Sequence, residues 1–372
     1  MVKVGLLLTA KPENGGVYQY TKSVLQSCRL LHSYQFTIYT TPDNNFYDAE
    51  TFPVKRIRAD RRNWFLLVFT DLLIISIKDC FSDEDIIFAT THSPILLHTK
   101  TKFIFTLHDL QEHYLPENFS FTKKIWRNYI NKNLCIKAAL IECESEYVKK
   151  DISKIFKINK EKIYVLPAPP LNLSNGEISE TRIEEVASKY HLPESYLFYP
   201  AQFWVHKNHD KLIEAFNIIS KKFDNIHLVL TGKEKYEYSK IMKKIMALDL
   251  ASKVIHLGYV CQEDLEIIYK KSLILVIPTL FESISIPIYE AFQLGVPVCA
   301  SNVVSLPEQV GDAGILFNPL DVNDMVKCIS LLIENPTLRK QIVKKGHHKI
   351  KKINVQSFAD GLHIILESLS PN

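Results

Sequence analysis

No two of the seven cysteines (Cys28, Cys80, Cys135, Cys143, Cys261, Cys299, Cys328) stand at C-x-x-C spacing. That scatter argues against a zinc ribbon or a redox pair. The odd count predicts reduced thiols and, with them, a cytoplasmic home. H-E-x-x-H is missing as well, and no paired Cys/His cluster stands out, so no protein-held metal is expected. G-x-G-x-x-G is missing too, which leaves a nicotinamide-binding reading without support. The most apolar helical stretch, Trp64–Ile77, is 14 residues long and contains Asp71. It reads as a buried core helix, too short for a membrane span. Met1 runs straight into a strand-like segment with no signal-peptide pattern. A net charge of +4 gives no reason to expect a nucleic acid partner. Low-complexity tracts and short-period repeats are absent, and 47% apolar with 23% charged residues is ordinary for a folded globular chain.

What is present is an alternation. The 372 residues suit two domains rather than one. Strand candidates in the first half are Lys3–Thr9, Gln35–Thr41, Asp85–Thr91, Phe103–His108, Leu140–Cys143 and Lys162–Leu166. In the second half they are Tyr196–Pro200, His227–Thr231, Val254–Leu257, Leu273–Pro278 and Val296–Ala300. Helical patterns fall between them, including Val17–Leu31, Trp64–Lys78 and Lys211–Phe223, the last with a clear 3.6-residue period. Continuous apolar strands alternating with helices predict parallel sheets covered on both faces. The join falls near Pro167–Glu184, where three prolines are followed by Asn172, Ser174, Asn175 and Gly176. In such sheets ligands bind beyond the carboxyl ends of the strands, so chemistry is sought just after each strand.

The strongest local pattern is Phe281-Glu282-Ser283-Ile284-Ser285-Ile286-Pro287-Ile288-Tyr289-Glu290-Ala291-Phe292, closed by Gly295-Val296-Pro297-Val298. Pro287 suits a first helical turn and Gly295 a helix end. This predicts Glu290 in the first turn and Glu282 in the preceding loop. Free amides at a helix start suit a phosphate, and carboxylates accept hydrogen bonds from sugar hydroxyls. The plainer alternative is that Glu290 only complements the helix dipole while Glu282 is solvated.

The two glutamates in F-E-x-x-x-x-P-x-x-E-A, followed by G-x-P-V, resemble the donor-site signature of retaining glycosyltransferases of family four. Ala300-Ser301-Asn302, Ser305-Leu306-Pro307-Glu308, Gly311-Asp312-Ala313-Gly314 and Asn318-Pro319 continue that pattern in order. The resemblance implies the GT-B fold, two Rossmann-like doubly wound α/β domains facing across a cleft. It implies that Glu290 binds the ribose hydroxyls and Glu282 the donor sugar. Amides between Ile284 and Ile288, Ser285 and Ile286 among them, would face the sugar and phosphates. It departs from the family where Ser283, Ile284 and Ser285 replace the usual glycines.

Tyr199-Pro200-Ala201-Gln202-Phe203-Trp204-Val205-His206-Lys207-Asn208-His209 follows a strand. Asn208 or Asp210 is placed to cap the next helix, and Lys207 to meet a diphosphate as a point charge. Its H-K-N-H run resembles a subset of the same family, in which an Arg more often stands where Gln202 is here. Gly15-Gly16-Val17-Tyr18 resembles the family's glycine-rich loop near the reacting bond, although a plain loop explains a G-G pair equally well. Thr106-Leu107-His108-Asp109 matches the family's H-D, which gives His108 a contact to the donor sugar and Asp109 a supporting part. Glu144-Ser145-Glu146-Tyr147 reads as a structural helix start, Gly232 as a turn and Lys233 as exposed.

The reading is therefore an N-terminal acceptor-side domain over 1–170, a nucleotide-sugar domain over 171–354 and a terminal helix at 355–372 that crosses back. The implied reaction moves a hexose from a nucleotide diphosphate sugar to the hydroxyl of a saccharide or lipid-linked saccharide. Retention at the anomeric carbon comes from the resemblance, as do surface-polysaccharide assembly and a mannosyl donor. No cofactor is called for. Two alternatives stay open: another GT-B enzyme such as a sugar-nucleotide epimerase, and an inactive partner subunit that binds nucleotide sugars. The segment Phe121–Lys132 is basic, has no acidic residue and carries aromatics. As a helix it sets Ile125, Tyr129 and Lys132 along one side and Lys124, Arg127 and Asn131 along another. That pattern suits weak contact with an anionic membrane at its inner face. An ordinary surface helix with Trp126 in the core is the alternative.

Overall fold

The computed structural model of the protein describes residues 1–47, 51–57, 80–171 and 178–370. The expected helix over Trp64–Ile77 (Trp64–Lys78 at its widest) and the loop residues Asn172, Ser174, Asn175 and Gly176 lie outside them. The chain divides into two units, one of residues 1–171 with 353–372 and one of residues 172–352.

The first unit holds, among the described residues, a seven-stranded parallel sheet in the order β3-β2-β1-β4-β5-β6-β7. The strands are β1 Val2–Leu7, β2 Tyr34–Thr40, β3 Val54–Arg56, β4 Ile86–Ala89, β5 Lys102–Thr106, β6 Leu140–Cys143 and β7 Ile163–Val165. Strand periodicity sorts neighbouring residues onto opposite faces. Leu7, Ile87, Ala89, Phe103 and Phe105 enter one core, while Val4, Leu6, Ile86, Phe88 and Ile104 enter the other. The second core is roofed by the helices Gly16–Cys28 and Val355–Glu367, the latter through Phe358, Leu362, Ile365 and Leu366. Gly361 allows this packing, because a Cβ there would stand 2.5 Å from Leu166 Cδ1.

The second unit holds a six-stranded parallel sheet, again among the described residues, in the order β10-β9-β8-β11-β12-β13. Its strands are β8 Tyr196–Pro200, β9 His227–Thr231, β10 Val254–His256, β11 Ile274–Ile277, β12 Val298–Ser301 and β13 Ile315–Phe317. Both sheets are parallel and doubly wound, as the alternating pattern predicts. Strands β3 and β13 were not anticipated; each is an edge strand of three residues, as are β7 and β10, which the sequence did indicate. In each sheet the order reverses once, between β1 and β4 and between β8 and β11, and each reversal spreads the adjoining loops into a crevice.

Candidate functional site

In the second unit the loops leaving β8 and β11 carry Lys207 and Glu282, and the two side chains meet. Lys207 Nζ lies 2.8 Å from Oε1 and 2.6 Å from Oε2 of Glu282. The side chains are 20% and 16% exposed, so the pair is partly open to solvent. The loops are tightly braced. Tyr199 donates to the Lys207 carbonyl at 2.9 Å. The carbonyl of His206 accepts from the Leu280 amide at 2.7 Å and from Thr279 Oγ1 at 3.0 Å. Asn208, at φ 56°, donates its amide to the carbonyls of Pro278 and Pro319 at 2.9 and 3.0 Å. That corrects the capping expectation. Asn208 occupies the cap position of the helix His209–Lys222 without a side-chain cap, and Asp210 lies inside its first turn.

Helix Ile286–Leu294 begins as expected with Pro287 in its first turn and ends at Gly295 with φ 74°. Glu290 is its fifth residue and so lies in the second turn, not the first. It is 3% exposed and accepts a 2.7 Å hydrogen bond from Tyr269. Burial raises its pKa, while hydrogen bonds from Tyr269 and Gln262 pull the other way. The loop before the helix is held by two residues one helical turn apart. Ser305 Oγ reaches the carbonyls of Glu282, at 3.2 Å, and Ser283. Gln309 accepts from the Ser285 amide at 2.9 Å and donates to the Ser285 carbonyl at 2.8 Å. The Ser285 amide, expected to face a ligand, is thus engaged, and that of Ile288 donates to the Ser285 carbonyl. Pro287 has none, which leaves the amides of Ile284 and Ile286 from that stretch. Gln309 escaped the sequence reading; its i, i+4 spacing from Ser305 was the available signal.

Other expected residues divide. Gln202 accepts from Trp204 Nε1 at 3.0 Å and adds no charge beside Lys207. Gly232, at φ 124°, is required where it is, because a Cβ would stand 2.5 Å from the Ala201 carbonyl oxygen. Lys233 is exposed. His206 and His209 are both pushed down to about 3, first by burial and then by the Lys207 charge.

In the first unit Gly15, at φ 58°, precedes the helix Gly16–Cys28, and Gly16 is its first residue. His108 follows β5, and both of its ring nitrogens are engaged. Nδ1 lies 2.8 Å from Glu144 Oε2 and Nε2 2.9 Å from the Thr90 carbonyl oxygen. The expected side-chain contact from His108 to a sugar therefore has no free ring nitrogen in this structure. Burial opposes charge on this ring, but the hydrogen bond and field of Glu144 outweigh it and raise the pKa to about 9. Asp109 accepts from Arg127 at 3.0 Å and from the Gln111 amide at 3.2 Å. Glu142 is fully buried and takes a 2.7 Å hydrogen bond from Tyr20, which also lies 2.8 Å from Thr106 Oγ1. Burial first, then the charge of Glu144, raises Glu142 to about 8. Ser145 caps the helix Glu146–Phe156, so the structural reading fits that residue, but Glu144 beside it belongs with His108. Glu142 went unnoticed because an acidic residue inside an apolar strand carries no motif.

Of the two sides expected for the helix Phe121–Lys137, that of Ile125, Tyr129 and Lys132 stands outward and the basic one does not. Arg127 and Asn131 point inward, Arg127 to Asp109 and Glu112 and Asn131 fully buried. Trp126 is partly buried against the core. Outward stand Phe121, Ile125, Tyr129 and Ile136, with Lys132 exposed on the same side and Lys123 exposed elsewhere in the first turn. Among the described residues no three His, Cys, Asp or Glu side chains converge as a metal centre needs, and no helix is long and apolar enough to cross a membrane.

Residues 182–349 match the family Glycosyl transferases group 1, and residues 14–169 match Glycosyltransferase Family 4. The O-antigen chain mannosyltransferase B of Escherichia coli is 26% identical over 89% of this chain and 87% of its own length. The O-antigen chain mannosyltransferase RfbU of Salmonella typhimurium is 25% identical over 73% and 71%. Among solved structures, sucrose-phosphate synthase from Thermosynechococcus elongatus superposes with a TM-score of 0.80 at 16% identity, over 99% of each chain. The Anabaena protein HepE, in complex with UDP and glucose, gives 0.78 at 18% identity, over 99% of this chain and 100% of that one. With both halves matched and both sheets doubly wound, this chain belongs to the group 1 glycosyltransferases of GT-B fold.

Proposed function

We propose that this glycosyltransferase moves a hexose, with retention, from a nucleoside diphosphate sugar to a saccharide or lipid-linked saccharide hydroxyl during surface polysaccharide or glycolipid assembly. The carrying observation is the Lys207–Glu282 pair at the β8/β11 reversal. An arriving diphosphate competes with Glu282 for the Lys207 ammonium. Lys207 then stabilises the leaving phosphate, and Glu282, released, accepts hydroxyl hydrogen bonds from the sugar. Preorganised charge of this kind acts where charge develops in the transition state. The amides of Ile284 and Ile286 at the helix start add to it. Glu290 takes the ribose hydroxyls, with Tyr269 holding its carboxylate in place. Gly15 and Gly16 let backbone approach the acceptor, and His108 serves the sugar side. No metal is needed in this scheme, since Lys207 supplies the cation. A mannosyl donor is favoured by the names of the two O-antigen relatives. The exposed stripe Phe121, Ile125, Tyr129 and Ile136, with Lys132 on the same side, suits weak contact with an anionic membrane surface, consistent with a peripheral place at the cytoplasmic face.

The test is transfer from a panel of nucleoside diphosphate sugars in excess chelator. Turnover is expected to survive chelation, and Lys207→Ala is expected to fold and lose about 10²–10³-fold in kcat. Activity abolished by chelator and restored by a divalent ion, or near wild-type kinetics in Lys207→Ala, would refute the scheme.

A further inference from the structure

The first unit contains a buried polar cluster of which the proposed transfer uses only His108. Four elements converge at the carboxyl ends of β4, β5 and β6. His108, after β5, sends Nε2 to the Thr90 carbonyl after β4 and Nδ1 to Glu144 after β6. Tyr20, from the helix Gly16–Cys28, stands edge-on to the His108 ring at 4.7 Å and 87°. Its hydroxyl donates to Glu142 Oε2, whose other oxygen is buried with no hydrogen-bond partner. The carboxylate of Asp109, next to His108 in the chain, is turned to Arg127.

The hydrogen-bond directions restrict the ring. A carbonyl oxygen only accepts, so Nε2 carries a proton. Nδ1 faces a carboxylate, which accepts from an N–H, so the pairing favours a proton there as well. A ring donating from both nitrogens is an imidazolium, held in place from two strands. It cannot exchange a proton with a substrate through either nitrogen without giving up one of these bonds.

We propose that Glu144 is a positioning residue for the transfer reaction, holding His108 as a fixed imidazolium at the strand ends rather than as a proton-transfer group. The role rests on the proposed placement of His108 at the sugar. The raised titration of His108 agrees with it, and of the groups facing the ring Glu144 and Glu142 both favour the charged form. The Tyr20–Glu142 bond ties the helix that begins at Gly16 to the same strand, so the glycine turn and the imidazolium are set from one cluster.

The test has two readouts on full-length protein. The first is the His108 ring titration by nitrogen-15 NMR, assigned by its loss in His108→Gln. It is expected near 9 in the wild type and to drop toward the ordinary value of about 6.5 in Glu144→Gln. The second is the pH dependence of transfer. Glu144→Gln is expected to move the alkaline limb of kcat downward by at least about one pH unit, with roughly tenfold lower kcat near pH 8.5 and donor KM within about twofold. Glu144→Asp, which keeps the charge, is expected to restore part of both and guards against loss of folding as the explanation. A ring titration that Glu144→Gln leaves unmoved overturns the pairing. A ring that shifts while the kcat profile stays put overturns the role in transfer, with the Lys207 and Glu282 reading untouched. Absent wild-type turnover from every donor would instead sink the proposed function, and the ring titration would still report on the pair.

Discussion

Glu290 shows what a motif does and does not say about a single residue. The spacing to Pro287 and Gly295 predicts a helix that carries Glu290, and the helix is there, with Glu290 in its second turn rather than its first. What the spacing could not show is that Tyr269, from the preceding helix, donates to it at 2.7 Å and that it is almost completely buried. A ribose hydroxyl binding there meets a carboxylate already oriented and desolvated, so removing its charge should act on binding. Glu290→Gln is expected to weaken nucleoside diphosphate affinity by about 1.5–3 kcal/mol, the usual value of a hydrogen bond to a charged group, with little change in kcat. Titration calorimetry showing unchanged affinity would rule out the ribose role. Lys207 and Glu282 were legible because each stands just after a strand in a local run. Gln309, Tyr269, Glu142 and the His108–Glu144 pairing were not, because each depends on side chains brought together by tertiary packing.

At the level of elements, long apolar strands declared themselves, and of the four three-residue edge strands β7 and β10 did while β3 and β13 did not. The helix Phe121–Lys137 marks the same boundary. Its existence and its lack of acidic residues were readable, but which side faces out was decided by Arg127 and Asn131 meeting Glu112 and Asp109. The outward face is therefore more apolar than a helical wheel of the first twelve residues implied. Four large side chains, from 52% to 73% exposed, line it. Lys123 and Lys132 are expected to contribute about 1 kcal/mol each to binding an anionic surface, fading as salt rises. In vesicle sedimentation, wild-type protein should partition onto anionic over neutral vesicles. Lys123→Glu with Lys132→Glu should abolish that preference, and Ile125→Ser with Tyr129→Ser should weaken binding at high salt. Equal binding to both vesicle types in the wild type would leave the face without this role.

Across the whole chain, the two units bury titratable groups of opposite tendency, which gives them opposite responses to pH. In the second unit His206 and His209 are held neutral, with pKa values near 3, by burial and by Lys207. Unfolded, they titrate near 6.5. Between those values the unfolded state binds more protons, so this unit loses stability as pH falls below about 6.5. In the first unit the signs reverse. His108 is raised to about 9 and Glu142 to about 8, so the folded state holds the extra protons. The contribution of His108 is complete below about 6.5 and is lost as pH rises through about 9; that of Glu142 is lost between about 4.5 and 8. Each unit of pKa difference corresponds to about 1.4 kcal/mol. Hydrogen exchange, corrected for intrinsic rates, separates the two. Protection of the helix His209–Lys222 should fall from pH 7 to 5.5, while that of Gly16–Cys28 and β6 should fall from pH 7 to 8.5. Glu290, raised by burial, works against the histidines in the second unit, so the acid window measures whether two imidazoles outweigh one carboxyl. Protection that moves in the same direction in both units across both windows would show that these buried groups do not govern the pH response.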